Sequence, residues 1–450
     1  MHLPAAFSHN LQAQLGDEWA AFQAALKEPA PTSIRLNPLK PGALDLALEM
    51  PVPWCEQGRY LSARPVFTLD PLLHAGAYYV QEASSMFLCE AVRQWMGTDR
   101  PIRALDLCAA PGGKSTLLAS LLPEGSFLLA NEVIRSRAGI LRQNLERWGA
   151  GHTGLSVHDS REFGRLQGFF DLVLVDAPCS GEGLFRKEPQ AIEEWSEANV
   201  QLCAGRQKRI LAEAVPLLRP GGLLLYSTCT YNAQENEDNA AWLEKEQGLS
   251  PLRLDLPADW KIVATGRGYQ LYPHRVRGEG LFLAGFRQPA GREHSVREGR
   301  KSPIERLTRK ESSQLAPWLR AGHGLVFWKN KVGEVSALPE KLFELTEALR
   351  TGLSRVQTGQ LLGTLKGDLF LPSHALALSE WIDPEFQGVE LPREKALRFL
   401  KKEAIELPVT GLKGWALARY RGRNLGWFKA LPNRINNYFP KEWRIRMELE

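Results

Sequence analysis

The sequence predicts an α/β protein built around a parallel sheet covered on both faces. Two observations carry that expectation. From Arg100 onward, short apolar runs alternate with segments of helical spacing, joined by short connections. The small and acidic residues of that region collect just after the apolar runs, where ligands gather in such sheets.

Residues 102–107 (IRALDL) are the first strand candidate, followed by CAAPGG and a helix, KSTLLASLL. Residues 126–132 (SFLLANE) give the second strand, and the helix from Arg135 to Trp148 keeps Leu141, Leu145 and Trp148 on one stripe. Residues 153–159 (TGLSVHD) give the third strand. Residues 170–178 (FDLVLVDAP) give the fourth, and the clearest, because its apolar run is continuous. A long helical region is expected from about 190 to 218. Residues 220–230 (PGGLLLYSTCT) then read as a turn and a fifth strand, residues 236–246 as a helix, and 269–275 and 281–286 as two later strands. The acids and small residues from Asp106 to Lys114, with Glu132, Asp159, Asp176 to Gly183 and Ser227 to Thr230, all fall at strand ends, which predicts one shared cleft.

At 450 residues the chain exceeds one ordinary core, which predicts several domains. A hydrophobic fraction of 44% with 24% charged residues excludes a disordered chain. No apolar run reaches the roughly eighteen residues of a membrane span. The start, MHLPAAFSHNLQAQL, lacks the basic and apolar regions of a signal peptide. Six cysteines without a CxxC pair favour neither structural zinc nor a disulfide framework, so a reduced, cytoplasmic protein with no metal site is expected. A net charge of +5 permits a nucleic-acid partner without requiring one.

Four regions are expected. Residues 1–65 form a leading module, with one helix through FSHNLQAQLGDEWAAFQAALKEP and a strand at TSIRLNP. Residues 66–287 form the catalytic domain, beginning with a turn and helix over 76–93. Residues 288–310 form a basic linker; the stretch 287–310 carries eight Lys/Arg against three Glu and is broken by Pro and Gly. Residues 311–450 form a mixed domain, with strands at GLVFWKN and LKGDLFLPS and helices at EKLFELTEALR and EKALRFLKKE. Its tail from Gly411 to Arg446 has nine Lys/Arg, one Glu and seven aromatics. Most of those aromatics are expected in a core, with Arg419, Arg421 and Arg423 as the RNA-contacting candidates.

The loop LDLCAAPGGK brings Cys108, Ala109, Ala110, Pro111, Gly112, Gly113 and Lys114 to the start of a helix. Small residues let a ligand approach the backbone, and the helix N-terminus offers free N–H groups. The loop has neither GxGxxG nor a full GxxxxGK[ST], which weakens dinucleotide and P-loop readings. Glu132 is placed to accept ribose hydroxyls and Asp159 an adenine amino group.

Two cysteines lie just beyond the fourth and fifth strands, Cys179 in DAPCSG and Cys229 in STCT. Neither has a neighbouring histidine in sequence, so a Cys–His hydrolase has little support. A thiol pair suits methylation at carbon 5 of cytosine. A thiolate adds to carbon 6 and loads electron density on carbon 5, and a base then removes the carbon 5 proton for release. Asp176 is placed to hold the ring at N3 and the exocyclic amine, sharing a proton there. The target base must first be turned out of any helix.

Taken together, TSIRLNPLK, VQEASSM, LDLCAAPGGKS, DAPCSGEGLFRK and STCTYNAQENE resemble the Nop/Sun (Fmu-like) family of RNA cytosine-5 methyltransferases along nearly the whole chain. The resemblance implies a Rossmann-like S-adenosylmethionine-dependent catalytic domain and a C-terminal PUA-like RNA-binding module. It implies Cys229 as nucleophile and Cys179 as the group that assists release. It places the cofactor at Cys108–Lys114, Glu132, Asp159 and Asp176, with Asp176 also beside the target base. Lys187 is implied to contact RNA or order its loop. The implied substrate is 16S rRNA near the decoding region, in the small ribosomal subunit or its precursor, with no membrane and no obligate protein partner.

Overall fold

In the computed structural model the described residues are 2–97, 100–291, 305–322, 324–407, 411–432 and 434–448. Residues 292–304 of the expected basic linker lie outside them.

The expected parallel sheet is present. Its strands are β1 (Arg103–Asp106), β2 (Phe127–Asn131), β3 (Thr153–Ser156), β4 (Phe170–Asp176), β5 (Leu218–Thr228), β6 (Tyr269–Leu271) and β7 (Leu281–Arg287). Their order is β3-β2-β1-β4-β5-β7-β6, with β1 to β5 parallel and β7 antiparallel to β5. Chain direction across the sheet therefore switches between β1 and β4, and the crevice there is the natural ligand position. β2 and nearly all of β4 are buried, as continuous apolar strands between two helical layers must be.

The helices α1 (Gly113–Leu121), α2 (Arg135–Trp148), α3 (Glu197–Ala214) and α4 (Glu237–Lys245) cover the sheet. α2 buries Ala138, Leu141, Leu145 and Trp148 and ends at Gly149, which takes a left-handed φ of 86°. The long helical region expected over 190–218 is present as two helices, Pro189–Glu194 and α3, separated where Ser196 caps the second by accepting from the Asn199 amide.

The N-terminal part departs from expectation in two places. The helix expected through residues 7–29 is broken into Ala5–Leu15 and Trp19–Ala25 at Gly16, whose φ is 56°. The module also continues past residue 65. Tyr78–Val80 pairs with Thr32–Leu36 and completes an antiparallel sheet with Cys55–Leu61 and Leu48–Val52. Val52, Trp54 and Tyr60 share a core with Leu117 and Leu118 of α1 and Leu172 of β4. Ile34, Leu61 and Leu72 share another with Phe399 and Phe428 of the C-terminal part. The N-terminal unit is thus wedged between its two neighbours.

The C-terminal part holds a five-stranded and a four-stranded sheet. LKGDLFLPS is a hairpin rather than one strand, turning at Gly367 with φ 62°. The two expected helices are present as Phe343–Gly352 and Arg393–Lys401. Val356–Thr358 leaves this part to pair with β3 and extends the central sheet at its edge.

Trp148 joins these parts. It is 2% exposed, its Nε1 donates to Ser120 Oγ at 3.1 Å, and the Arg35 guanidinium lies 4.3 Å from its ring. Trp148→Ala should lower stability by about 3–5 kcal/mol. A urea titration of the full chain followed by far-ultraviolet circular dichroism checks this; an unchanged midpoint contradicts it.

Candidate active site

The site is assembled by the register of β4 against β5. Val175 faces Tyr226 and Asp176 faces Ser227, so the two strands end side by side. Cys179 follows Asp176 by three positions and Cys229 follows Ser227 by two. Their sulfurs are 3.0 Å apart, and both residues are partly exposed. The adjacent Cys229 sulfur, then burial, push the Cys179 thiol well above its ordinary range. Cys179 therefore keeps its proton beside Cys229.

Two buried carboxylates hold the cysteine loops together. Glu182, 1% exposed, accepts from Thr230 Oγ1 at 2.5 Å, the Tyr231 and Asn232 amides at 2.8 and 3.0 Å, Asn232 Nδ2 at 2.9 Å and Trp195 Nε1 at 3.0 Å. Burial raises its pKa against these donors. Glu235 accepts from the Ser180 amide at 3.0 Å, Gln207 Nε2 at 2.6 Å and Asn232 Nδ2 at 2.8 Å. Asn236 spans Cys229, accepting from Thr228 Oγ1 at 2.6 Å and donating to the Thr230 carbonyl at 2.9 Å. The Gly183 amide donates to the Cys229 carbonyl at 2.6 Å, and a Cβ at Gly183 would collide with that carbonyl. Glycine is required there by this close approach.

Asp176 Oδ1 receives Lys114 Nζ at 2.8 Å and Ser227 Oγ at 2.7 Å. Burial works against the Lys114 ammonium, but the Asp176 carboxylate outweighs it and the amine is held above its usual range. The strand-end acid and the loop lysine thus meet at the switch point, beside the cysteines.

The loop between β1 and α1 carries the predicted Cys108 to Lys114 segment. Gly112 caps α1 with φ 112°, a conformation that favours glycine. At the end of β1, Asp106 is fully buried; Oδ2 accepts from Ser115 at 2.6 Å, while Oδ1 has no partner. Burial pushes its carboxyl up to about 7, and burial also raises the Cys108 thiol. Glu132 directly follows β2, accepting from the Ile134 amide at 2.9 Å, with Arg137 Nη1 at 3.6 Å. Arg137 in turn donates to the Ala110 carbonyl at 2.8 Å, tying that acid to the loop. Asp159 caps the turn at Ser160–Leu166 and accepts from Arg161 Nε at 3.0 Å, which lowers its pKa. An unpartnered buried acceptor, a glycine-capped helix start and acids at the ends of β2 and β3 suit a nucleoside-bearing cofactor with a charged tail.

The structure treats the basic candidates unevenly. Lys187 Nζ lies 3.6 Å from the buried Glu279. Arg419 donates to Asn424 Oδ1 at 3.1 Å and to the Pro384 and Phe386 carbonyls at 3.2 and 2.7 Å. Arg423 is buried and faces the carbonyls of Lys40, Ala43 and Arg421. Arg421 pairs with Asp45 and stays exposed. Of the three arginines expected to contact RNA, Arg421 is exposed, Arg419 is bonded to Asn424 and two carbonyls, and Arg423 is buried with Nε and Nη1 facing carbonyls and Nη2 without a partner.

Arg35 was missed at the sequence level. It is 2% exposed and reaches from the N-terminal sheet to α1, donating to Thr116 Oγ1 at 2.6 Å, the Gly113 carbonyl at 3.3 Å and Gln81 Oε1 at 2.7 Å. Only its place in TSIRLNP, the one charge in an otherwise uncharged strand, hinted at this.

The chain is similar to known proteins along nearly its whole length. A family model described as 16S rRNA methyltransferase RsmB/F matches residues 97–287. Models for the N-terminal domain of 16S rRNA methyltransferase RsmF and for the methyltransferase RsmF PUA domain match residues 3–83 and 386–445. The ribosomal RNA small subunit methyltransferase F of Erwinia tasmaniensis is 32% identical, covering 98% of this chain and 96% of its own. The chain belongs to the RsmB/F family of methyltransferases. The Vibrio cholerae relative of the same name is also 32% identical, with 98% and 97% covered. Among solved structures, a methyltransferase homolog from Pyrococcus horikoshii is 28% identical with a TM-score of 0.54, covering 63% of this chain and 94% of that one. As an RsmB/F methyltransferase with a Rossmann-like catalytic domain and a C-terminal PUA domain, the protein uses S-adenosylmethionine.

Glu182→Ala should release both cysteine loops. Turnover should fall at least about tenfold while S-adenosylhomocysteine affinity changes less than about twofold, because the site's electrostatic preorganisation is lost on the cysteine side only. Arg35→Met should do the reverse, weakening S-adenosylhomocysteine binding about tenfold by freeing the first turn of α1. Isothermal titration and single-turnover assays separate the two. Equal losses in both variants contradict the division.

Proposed function

We propose that the protein transfers a methyl group from S-adenosylmethionine to carbon 5 of a cytosine in 16S rRNA near the decoding region, through a covalent bond from Cys229 to carbon 6. The observation that carries this reading is the 3.0 Å separation of Cys229 and Cys179 at the ends of adjacent strands, beside the Asp176–Lys114 pair. Relatives covering nearly the whole chain bear the name ribosomal RNA small subunit methyltransferase F, which favours 16S rRNA as substrate.

Cys108, Ala109, Ala110, Pro111, Gly112, Gly113 and Lys114 would hold the cofactor, and Glu132 and Asp159 would accept hydrogen bonds from its nucleoside. When bound, it supplies an electrophilic methyl group. Cys229, as thiolate, gives its electron pair to carbon 6, the carbon 5–carbon 6 double bond opens toward carbon 5, and carbon 5 would take the methyl group as the methyl–sulfur bond breaks. Asp176 holds N3 and the exocyclic amine. Lys114, held cationic 2.8 Å from that carboxylate, keeps a proton available for N3. Once Cys229 is bonded to carbon 6, the larger of the two influences that hold Cys179 protonated is gone, burial remaining, and release requires Cys179 to give its proton to water. Cys179 then removes the carbon 5 proton, the double bond re-forms, and the carbon 6–sulfur bond breaks with its electrons returning to Cys229. The N-terminal sheet, Lys187, Arg421 and the PUA domain position the RNA, in the small subunit or its precursor.

The test uses labelled S-adenosylmethionine with small ribosomal subunits, naked 16S rRNA and bulk tRNA, all from cells lacking the enzyme, followed by bisulfite sequencing. Label should appear in 16S rRNA near the decoding region. Cys229→Ala should abolish it with cofactor binding intact, and Cys179→Ala should accumulate an RNA–protein adduct stable to denaturing electrophoresis. Label confined to tRNA discards the 16S assignment. No label in any sample, with cofactor bound, leaves a non-catalytic RNA-binding protein. An adduct with Cys229→Ala reverses the cysteine roles.

A further inference from the structure

The junction of the N-terminal, catalytic and C-terminal parts contains a second group of functional side chains, remote in sequence from the cysteines. Lys40 and His74 come from the N-terminal part, Arg147 from the end of α2, and His374 and Arg423 from the C-terminal part. They lie close together. Lys40 Nζ donates to the carbonyls of Ala75 at 2.8 Å and Arg147 at 2.7 Å, and Arg423 Nε donates to the Lys40 carbonyl at 3.3 Å. Trp443 links two of the others, with the His374 ring 4.8 Å from its centroid and the Arg147 guanidinium 5.5 Å away.

Five buried nitrogens of this group have no hydrogen-bond partner: Arg147 Nε, Arg423 Nη2, both ring nitrogens of His374 and His74 Nδ1. Arg423 is 8% exposed and His74 7%. Among the described residues no Asp or Glu forms an ion pair with any member. The carboxylate whose charge reaches Arg423, Asp70, already accepts from the Tyr78 hydroxyl at 2.7 Å and the Leu72 amide at 2.9 Å. Arg147 Nε, Arg423 Nη2 and one ring N–H of His374 are donors, whereas His74 Nδ1 is an acceptor, because Nε2 donates to the Thr68 carbonyl at 2.9 Å. Buried donors are nearly always paired, and a cluster of unpaired ones calls for an ion or water. Burial, reinforced by the like charges of Arg147 and Arg423, pushes the Lys40 amine down to about 7; burial with the neighbouring charges takes His374 down to about 3.

We infer that this junction is an oxyanion site that takes a phosphate group and closes the three parts on one another. Cationic donors contributed by three parts of the chain, with Arg147 Nε and Arg423 Nη2 left without a partner, suit an oxyanion. Lys40, Arg147 and His374 are each only partly covered, so the site opens to solvent on their side. The group is a free phosphate ion or a backbone phosphate of the RNA. The site itself does not depend on the methylation chemistry.

The experiment is thermal unfolding of the full chain, with sodium chloride replaced stepwise by sodium sulfate or inorganic phosphate at constant ionic strength. A saturable rise in Tm, half complete in the low-millimolar range, is expected for both anions. Arg147→Gln and Arg423→Gln should each lose most of that rise while keeping native circular dichroism. If Arg423→Gln does not fold, Arg147→Gln, at the half-buried position, decides. A rise that is only linear in concentration, the general effect of excluded anions, and equal in wild type and Arg147→Gln overturns the site. The salt dependence of 16S rRNA binding then identifies the source. A slope shallower by about one in Arg147→Gln assigns an RNA phosphate. An unchanged slope, with the saturable sulfate effect retained in wild type, assigns the free ion.

Discussion

The pairing of β4 with β5 is the constraint on which the rest of the site depends. Because alternate residues face opposite sides of a sheet, a shift of one position would turn Asp176 and Ser227 away from each other and separate the loops that follow. The register is fixed by burial. Leu172, Val173, Leu174 and Val175 face Leu223, Leu224, Leu225 and Tyr226, and none of the eight exceeds 1% exposure. With both strands locked, the distance from strand end to cysteine is short on each side, and little backbone freedom remains to set the sulfur separation.

What freedom remains is removed by polar groups rather than by packing. Glu182 and Glu235 sit beneath the two cysteine loops and gather amides and side chains from both. A buried carboxylate is costly unless fully hydrogen-bonded. Here its donors come from the segments that must be held, so its desolvation is offset only when both loops are in place. Apolar contacts tolerate small slides; a multiply bonded carboxylate does not. The same logic appears on the cofactor side, where Arg35 crosses from the N-terminal sheet to α1 and Arg137 joins Glu132 to the Ala110 carbonyl. The catalytic cleft is therefore supported by the flanking N-terminal unit as well as by its own sheet.

Features encoded locally were legible in the sequence. The apolar run FDLVLVD marks β4, the glycines at 112 and 113 mark the start of α1, and the cysteines of DAPCSG and STCT are where two strands end. Features decided by remote partners were not. The apolar spacing of the first helix continues across Gly16, so nothing in its periodicity shows the break. Tyr78–Val80 looks like the start of a helical segment, yet it is drawn into the N-terminal sheet by Thr32–Leu36, more than forty positions earlier. Val356–Thr358 pairs with β3 across some two hundred positions. Glu182 and Glu235 carried no assignment in sequence, because a carboxylate gives no sign there of the donors that will surround it.

The arginines of ARYRGR show the same limit from the opposite side. Basic residues among aromatics suggest a nucleic-acid surface, because both features favour polyanions and bases. The same two features also describe a domain interface, where a guanidinium can satisfy several carbonyls at once and an aromatic ring can cover its stem. Strand alternation sorts them here. Ala416, Ala418 and Tyr420 face the core shared with the N-terminal unit, and the turn that follows delivers Arg423 to the carbonyls of Lys40 and Ala43. Arg421 takes φ 50° in that turn and is left outward, facing Asp45. Charge thus marks where polar atoms must be satisfied, and the fold decides whether the acceptor is a carbonyl of the protein or an anion from outside it.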